Sequence, residues 1–420
     1  MAQPQKYQIS KWTLFVDSFM SKFITVGGLS VIAAVLLILI FIGKEVIPLL
    51  EEAKVDHIET IELPKVDIEH IAVDEWTALP TLITKSSVYL INREKNNEIT
   101  NKEFKTHNNS PITAIDYDQE RQLIVLGNDQ GFISLVEFKY YKEFLDEYEN
   151  GRQKSKTIFE LSQKPYLEFS EEGAKIVKIA ANQSASRKIV AGVTEKDGKQ
   201  KLLVVTLKQS VDLFGNISDD LAVDEKLDFT KYITGKIQDV LISSQADSIL
   251  VYTDKNEVFS FRTKENKIAF AQKFKPFKGE ESKEIVSMNY LFGSSTVIFS
   301  NKTGRFLGYT IYKPSEDMPR VYGLTKVTLD DLEGGAEVFC RSLRNKSFLV
   351  SNGNNIKLMY STSESVNWSD TLDYDVKHSI ISGKYDRMLL VDDENNLNIF
   401  KLSDPHPEAS LKTYFTKVWY

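Results

Sequence analysis

LIVLGNDQGFISLVEF, residues 123–138, packs an apolar strand, a polar turn and a second, alternating strand into one short span. β-Branched and aromatic residues fill both arms, and Asn128, Asp129 and Gly131 supply the turn chemistry between them. The same unit recurs along the chain. It is found as LITKSSVYLIN at 82–92, ILVYTDKNEVFSFR at 249–262, VIFSNKTGRFLGYTIY at 297–312, FLVSNGNNIKLMYS at 348–361 and LLVDDENNLNIFKL at 389–402. A further copy with a longer turn is KIVAGVTEKDGKQKLLVVTL at 188–207. One turn residue from each unit (Ser86, Asn128, Lys196, Asp254, Lys302, Gly353, Glu394) gives intervals of 42, 68, 58, 48, 51 and 41 residues. Strand-only units at such a period mark propeller blades.

Working outward, five of the hairpins follow another short apolar strand: ITAIDYD at 112–118, IQDVLIS at 237–243, IVSMNYL at 285–291, VFCRSL at 338–343 and HSIISG at 378–383. That supplies three strands per unit, with the fourth expected in the variable stretch before the next unit. HIETIEL at 57–63 precedes the first unit and is placed as the outer strand of the last blade, which closes the ring and removes its sheet edges. The WD dipeptide and Gly-His signature of one common propeller family are absent, so period and strand pattern carry the fold: a seven-bladed β-propeller over 56–404, preferred to a pair of β-sandwiches. Two longer connections interrupt the repeat. KYYKEFLDEYENGRQKSK at 139–156 has helix-compatible spacing at Tyr141, Phe144, Leu145 and Tyr148 and reads as a short exposed helix or loop between blades. A solvated excursion is the favoured role for it and a partner contact the rival. QSVDLFGNISDDLAVDEKLDFTKYI at 209–233 reads as an acidic connection with the same two options.

Ahead of the repeats, Phe23 to Gly43 (FITVGGLSVIAAVLLILIFIG) carries no charge and is long enough to cross the roughly 30 Å hydrocarbon layer as a helix. Lys44, Glu45 and Pro48 follow in place of a small-residue cleavage site, which favours a transmembrane helix at 23–43 over a signal peptide. Lys6, Lys11 and Lys22 lead it and Lys44 and Lys54 trail it, a mild bias that places segment 1–22 in the cytoplasm. The leading residues Ile9, Trp12, Leu14, Phe15 and Phe19 suit either the headgroup region or a helical extension of the span.

Over 420 residues the formal charge is −7, from 52 Lys+Arg against 59 Asp+Glu, which argues against a chain that coats nucleic acid. Residues 1–50 hold +2 (Lys6, Lys11, Lys22 and Lys44 against Asp17 and Glu45), so the remainder holds −9, an acidic body behind a basic anchor. A mean hydropathy of −0.25 rules out several spans. The single cysteine, Cys340, excludes an intrachain disulfide. Phosphate-cradling, nucleophile-elbow, zincin and paired-cysteine motifs are all absent from the sequence. His57, His70, His107, His378 and His406 are scattered singly, which is unlike a zinc site. Asp392-Asp393-Glu394-Asn395-Asn396 superficially matches a calcium loop, yet Leu397 and Ser403 occupy the places of the turn glycine and the bidentate glutamate, so it reads as a hairpin turn. The residues therefore point to no catalytic, cofactor-binding or metal site, and to an anchored, non-enzymatic interaction or sensing platform.

Two segments add a resemblance. SFMSKFITVGGLSVIAAVLLILIFIGKEVIPLLEEAKV (18–55) resembles the first membrane helix of the long-form permease subunit of Pst-type phosphate ABC transporters, and PHPEASLKTYFTKVWY (405–420) is similar to the stretch by which those permeases return to the membrane. With the propeller between them the likeness covers the whole chain. It implies a bacterial inner-membrane location, a cytoplasmic N-terminus and a periplasmic propeller. It also implies an accessory role beside a permease, ATPase or substrate-binding protein. The family's transport helices would begin after Tyr420, so no phosphate-binding residue is carried over, and 405–420 is expected to be an amphipathic tail. A bitopic scaffold or sensor for a protein partner is the alternative.

Overall fold

The computed structural model describes residues 10–46, 53–149, 152–170, 173–184, 187–211, 217–264, 267–291, 295–315, 320–325, 332–342, 347–360 and 366–403. The chain divides into two units at Ala53/Lys54.

The first unit is one α-helix, Lys11–Val46, so the residues before the uncharged run continue the same helix. Ser10 starts it: its hydroxyl accepts from the Trp12 amide and its carbonyl from the Leu14 amide. Apolar side chains such as Leu29, Ile32, Leu37 and Ile40 are each at least 60% exposed, and the helix is long and apolar enough to cross a membrane.

Among the described residues, the second unit holds seven antiparallel sheets, six of four strands and one of five. Blade 1 consists of His70–Ala72, Thr81–Ile83, Ser87–Asn92 and Glu98–Glu103. Blade 2 has Ile112–Asp118, Leu123–Asn128, Phe132–Glu149 and Arg152–Gln163, with Leu167–Glu168 added to the third strand. Blade 3 has Lys175–Ser184, Arg187–Lys196, Lys199–Val211 and Ile217–Asp228, and blade 4 has Ile237–Ile242, Ser248–Thr253, Val258–Lys264 and Lys267–Phe274. Blade 5 has Ile285–Leu291, Thr296–Asn301, Phe306–Tyr312 and Val321–Thr325, and blade 6 has Val338–Arg341, Ser347–Asn352, Asn355–Tyr360 and Val366–Thr371. Blade 7 takes Val376–Ile381, Arg387–Asp392 and Asn396–Ser403, and its fourth strand is Lys54–Glu62 from the other end of the sequence. Strands are called a to d from first to fourth within a blade. All seven hairpins anticipated from the repeat are the b and c strands, and the closing strand lies where expected.

The middle of each blade is buried on both faces because the neighbouring blades cover it. Leu123–Asn128, Ser248–Thr253 and Thr296–Asn301 read as near-continuous apolar runs for that reason. Clusters of buried side chains fill the wedges between successive blades. One joins Val88 and Leu90 of blade 1 to Ile124 and Val136 of blade 2. Another joins Val204 of blade 3 to Phe259 and Phe261 of blade 4. The d strands are wet, and every residue of Glu98–Glu103 is exposed.

Two expectations are corrected. Residues 139–149 and 152–156 are strands rather than a helix or loop: the c strand Phe132–Glu149 and the d strand Arg152–Gln163 pair through Glu149↔Arg152 as one long hairpin. Cross-strand pairing to 152–163 satisfies this backbone, and the helix-like spacing of its aromatics is incidental. In the stretch 209–233, residues up to Val211 continue strand c of blade 3, Ile217–Asp228 form its d strand, and Thr230–Tyr232 make a short 3-10 turn. The a strands of blades 1 and 3 were not singled out by the repeat. The first is three residues long, and the second, KIVKIAANQS, carries polar residues at both ends. The tail 405–420 lies outside the described residues.

Candidate functional site: the central channel

The a strands of all seven blades line a channel of about 470 Å³ along the propeller axis. Their C-terminal ends meet at one rim. There the Asn182 amide donates to Asp118 Oδ2 at 2.9 Å, and the Gln119 amide donates to the Ile381 carbonyl at 3.1 Å. Arg341 Nη2 stands 4.0 Å from Asp118 Oδ2 and 3.7 Å from Glu120 Oε2, while its buried Nη1 has no hydrogen-bond partner among the described residues. Blades 2, 3 and 6 thus place a carboxylate pair, an amide and a guanidinium at one mouth. Because c strands run parallel to a strands within each blade, the c-d turns lie at this same rim. The b-c turns lie at the other, where the Asn256 side chain of blade 4 accepts from the Ile285 amide that opens blade 5.

Burial disfavours the charged form of several titratable groups in and beside the channel wall. Burial pushes the Asp116 carboxyl up to about 7, with the charges of Asp239 and Asp118 adding to it and the amides of Tyr117 and Ala181 opposing. Burial also raises Asp239, against its own strand's Val240 amide and the Lys178 charge. His70 is lowered to about 4 by burial and by His378, and His378 is lowered chiefly by burial as well. Cys340 is pushed up to about 12 by burial, so its thiol stays protonated and is a poor nucleophile. Burial and the neighbouring Tyr322 hydroxyl likewise hold the Tyr290 phenol far above its usual range. A wall of carboxyl, imidazole and phenol groups whose charged forms burial disfavours opens onto a charged mouth, an arrangement suited to a polar side chain or small polar ligand. It supplies no activated nucleophile.

The single histidines look different in three dimensions. His70 and His378, on the a strands of blades 1 and 7, share the channel wall. His107 stacks on Phe132 at 4.1 Å, and His57 bonds to Thr60 beside Phe400 on the outer strand of blade 7. His406 lies outside the described residues. The segment 392–396 is a hairpin turn. Asp392 Oδ1 accepts the amides of Glu394 and Asn396, and Oδ2 accepts from Asn396 and Asn398, so its oxygens are already occupied. The channel residues Asp116, Asp118, Asn182 and Arg341, and Asp239 whose charge Asp116 feels, escaped notice in the sequence. The available signal was a charged or amide residue inside an otherwise apolar a strand, as in ITAIDYD and IQDVLIS.

No family model matches the chain, and no curated protein sequence matches it. Among solved structures, the Cps50 (Swd1) β-propeller domain of Myceliophteria thermophila superposes with a TM-score of 0.52 at 9% identity, over 83% of this chain and 99% of that one. A chain of the Mitotic Checkpoint Complex superposes with a TM-score of 0.50 at 9% identity, over 83% of this chain and 92% of that one. Nothing in these likenesses points to phosphate-transporter permeases. What the chain shares with these structures is the β-propeller fold.

Proposed function

We propose that this chain is a membrane-anchored, non-catalytic propeller that offers its a-b rim to a protein partner. The observation that carries the reading is the channel mouth. Asp118, Glu120, Asn182 and Arg341 are drawn together there from three blades, with a guanidinium nitrogen that has no hydrogen-bond partner among the described residues, in a chain that also bears a helix able to cross a bilayer. A second reading has one specific support, the likeness of residues 18–55 and 405–420 to phosphate ABC-transporter permeases. On that reading the partner is a permease, ATPase or substrate-binding subunit, the N-terminus is cytoplasmic and the propeller lies in the periplasm.

A photo-crosslinking amino acid at the exposed Glu120, incorporated into the full chain in native membranes, tests both. The expected result is a discrete cross-linked protein, identified by mass spectrometry, that is lost with Arg341→Glu. A phosphate-transporter subunit in that band supports the second reading, and another protein supports the general one. A chain that sediments with membranes yet yields no Arg341-dependent product contradicts both.

A further inference from the structure

We propose that the cavity between the b-c turn of blade 4 and the connection from blade 4 to blade 5 binds a doubly charged tetrahedral oxyanion, phosphate or sulfate, as the free ion or as a monoester group. The cavity lies at the b-c rim, so the inference is independent of the partner reading of the opposite rim.

The cavity holds about 70 Å³. That is the room of a little over two waters at about 30 Å³ each, enough for one tetrahedral ion and too little for a nucleoside. Lys255 and Asn256 of the turn line it together with Lys275, Phe277, Lys278 and Lys283 of the connection 275–284. Its ionic wall is thus made of lysines alone. Lys255, Lys278 and Lys283 are exposed and have no carboxylate partner among the described residues, and Lys275 shares Glu257 with Lys273, at 3.4 and 2.8 Å. Asp254, Glu257, Glu280, Glu281 and Glu284 lie in the same stretches of chain, yet none of them lines the cavity. Three of these are engaged elsewhere: Glu257 as above, Glu284 3.4 Å from Lys302, and Asp254 accepting the Lys236 amide at 2.8 Å. Charges that alternate along the sequence are therefore sorted in space, with the cations around the cavity.

Hydrogen bonds within the propeller already hold both walls. The Asn256 amide donates to the Thr253 carbonyl at 2.8 Å, and Asn256 Oδ1 accepts the Ile285 amide at 3.0 Å. With Oδ1 taken, the group Asn256 has left to offer is its donor, Nδ2. In the connection, the Tyr309 hydroxyl donates to the Pro276 carbonyl at 3.0 Å, the Glu280 amide donates to the Phe277 carbonyl at 3.2 Å, and Phe277 is buried. Four ammonium groups and an amide donor beside a buried ring call for a ligand that is all acceptor. A dianion with its oxygens spread tetrahedrally meets several point-charge donors at once, where a neutral molecule leaves them unneutralised and a carboxylate offers two oxygens and one charge.

The test titrates the full chain, in maltoside micelles at low ionic strength, with inorganic phosphate, inorganic sulfate and glycerol 3-phosphate, read by isothermal calorimetry. Saturable binding is expected, and added sodium chloride should weaken it. Lys255→Gln, Lys278→Gln and Lys283→Gln together should weaken it about tenfold or more. Lys65→Gln, Lys105→Gln and Lys199→Gln, which remove the same charge from three exposed lysines elsewhere on the propeller, should change it less than about twofold. Asn256→Asp keeps an acceptor for the Ile285 amide and replaces the donor with a carboxylate oxygen, so it should abolish binding with an unchanged thermal melt. Tighter binding of glycerol 3-phosphate than of either ion assigns the monoester, and the reverse assigns the free ion. The site is overturned if no probe binds saturably, or if the two triple variants weaken binding equally, which marks attraction to lysines in general. Either failure leaves the partner reading of the a-b rim standing.

Discussion

Asp116 shows how a single residue in the channel links structure to pH. Its carboxyl titrates near 7 in the folded chain, against about 3.9 when unfolded, so between about pH 4 and 7 the folded state binds the extra proton. Stability therefore falls as pH rises through that window and levels off above it. His70, held at about 4, acts in the opposite sense: between pH 4 and 6.5 the unfolded chain binds the extra proton, so stability rises with pH. Asp116→Asn removes the first effect alone. Denaturant titrations across pH should show the variant close to the parent at pH 4 and more stable by roughly 2–4 kcal/mol above pH 7. A constant difference at every pH would contradict the assignment. The channel was hard to foresee at this scale because its residues are scattered in sequence. His70 and His378 meet only because the last blade is closed beside the first, and a lone Asp inside a strand gives no sign of which carboxylates it will face.

Among the elements, the b-c turn is the recurring device. Asn128, Asn301 and Asp392 end their b strands, and each side-chain oxygen accepts two amides of the turn: those of Gln130 and Phe132, of Thr303 and Arg305, and of Glu394 and Asn396. Asn301→Ala removes the buried acceptor of two amides from a turn whose Thr303 and Arg305 are exposed, and should lower stability by about 1 kcal/mol. Gly304→Ala, in the same turn, should destabilise more. Gly304 has φ +93, and a Cβ there would stand 2.2 Å from the Leu332 carbonyl oxygen. Thermal melts of the two variants check the order, and a milder Gly304→Ala would contradict it. These turns were legible because their residue types are specific to the conformation. The a strands carry a second repeated device that was not legible, a register shift near their start in blades 2, 3, 4, 5 and 7, as between Ile237 and Asp239. A bulge leaves no compositional trace, and it is part of what sets which a-strand side chains face the axis. The blade 2 hairpin was misread for a related reason. Tyr141, Phe144, Leu145 and Tyr148 fit a helical stripe, and only the partner strand 152–163 decides between the two conformations.

At the scale of the whole molecule, the period of the hairpins and the early strand at 57–63 were enough to anticipate seven blades and a closed ring. Closure depends on the Lys54–Glu62 strand, whose Ile61 is buried opposite Leu397. Ile61→Asp places an unpaired carboxylate in that seam. It should lower stability by about 3 kcal/mol or more and expose blade 7 to limited proteolysis before the other blades. Proteolysis starting elsewhere would show that the seam is not the weak point. Only residues 47–53 separate the closing strand from the helix that is long and apolar enough to cross a membrane, so the two are near neighbours in sequence. Alkaline carbonate extraction of native membranes, read by the intact mass of the protein, tests the anchor on which the functional account depends. The account predicts a chain in the membrane pellet that still carries the apolar helix Lys11–Val46. A shortened chain, cleaved after the apolar run and released to the supernatant, would contradict it.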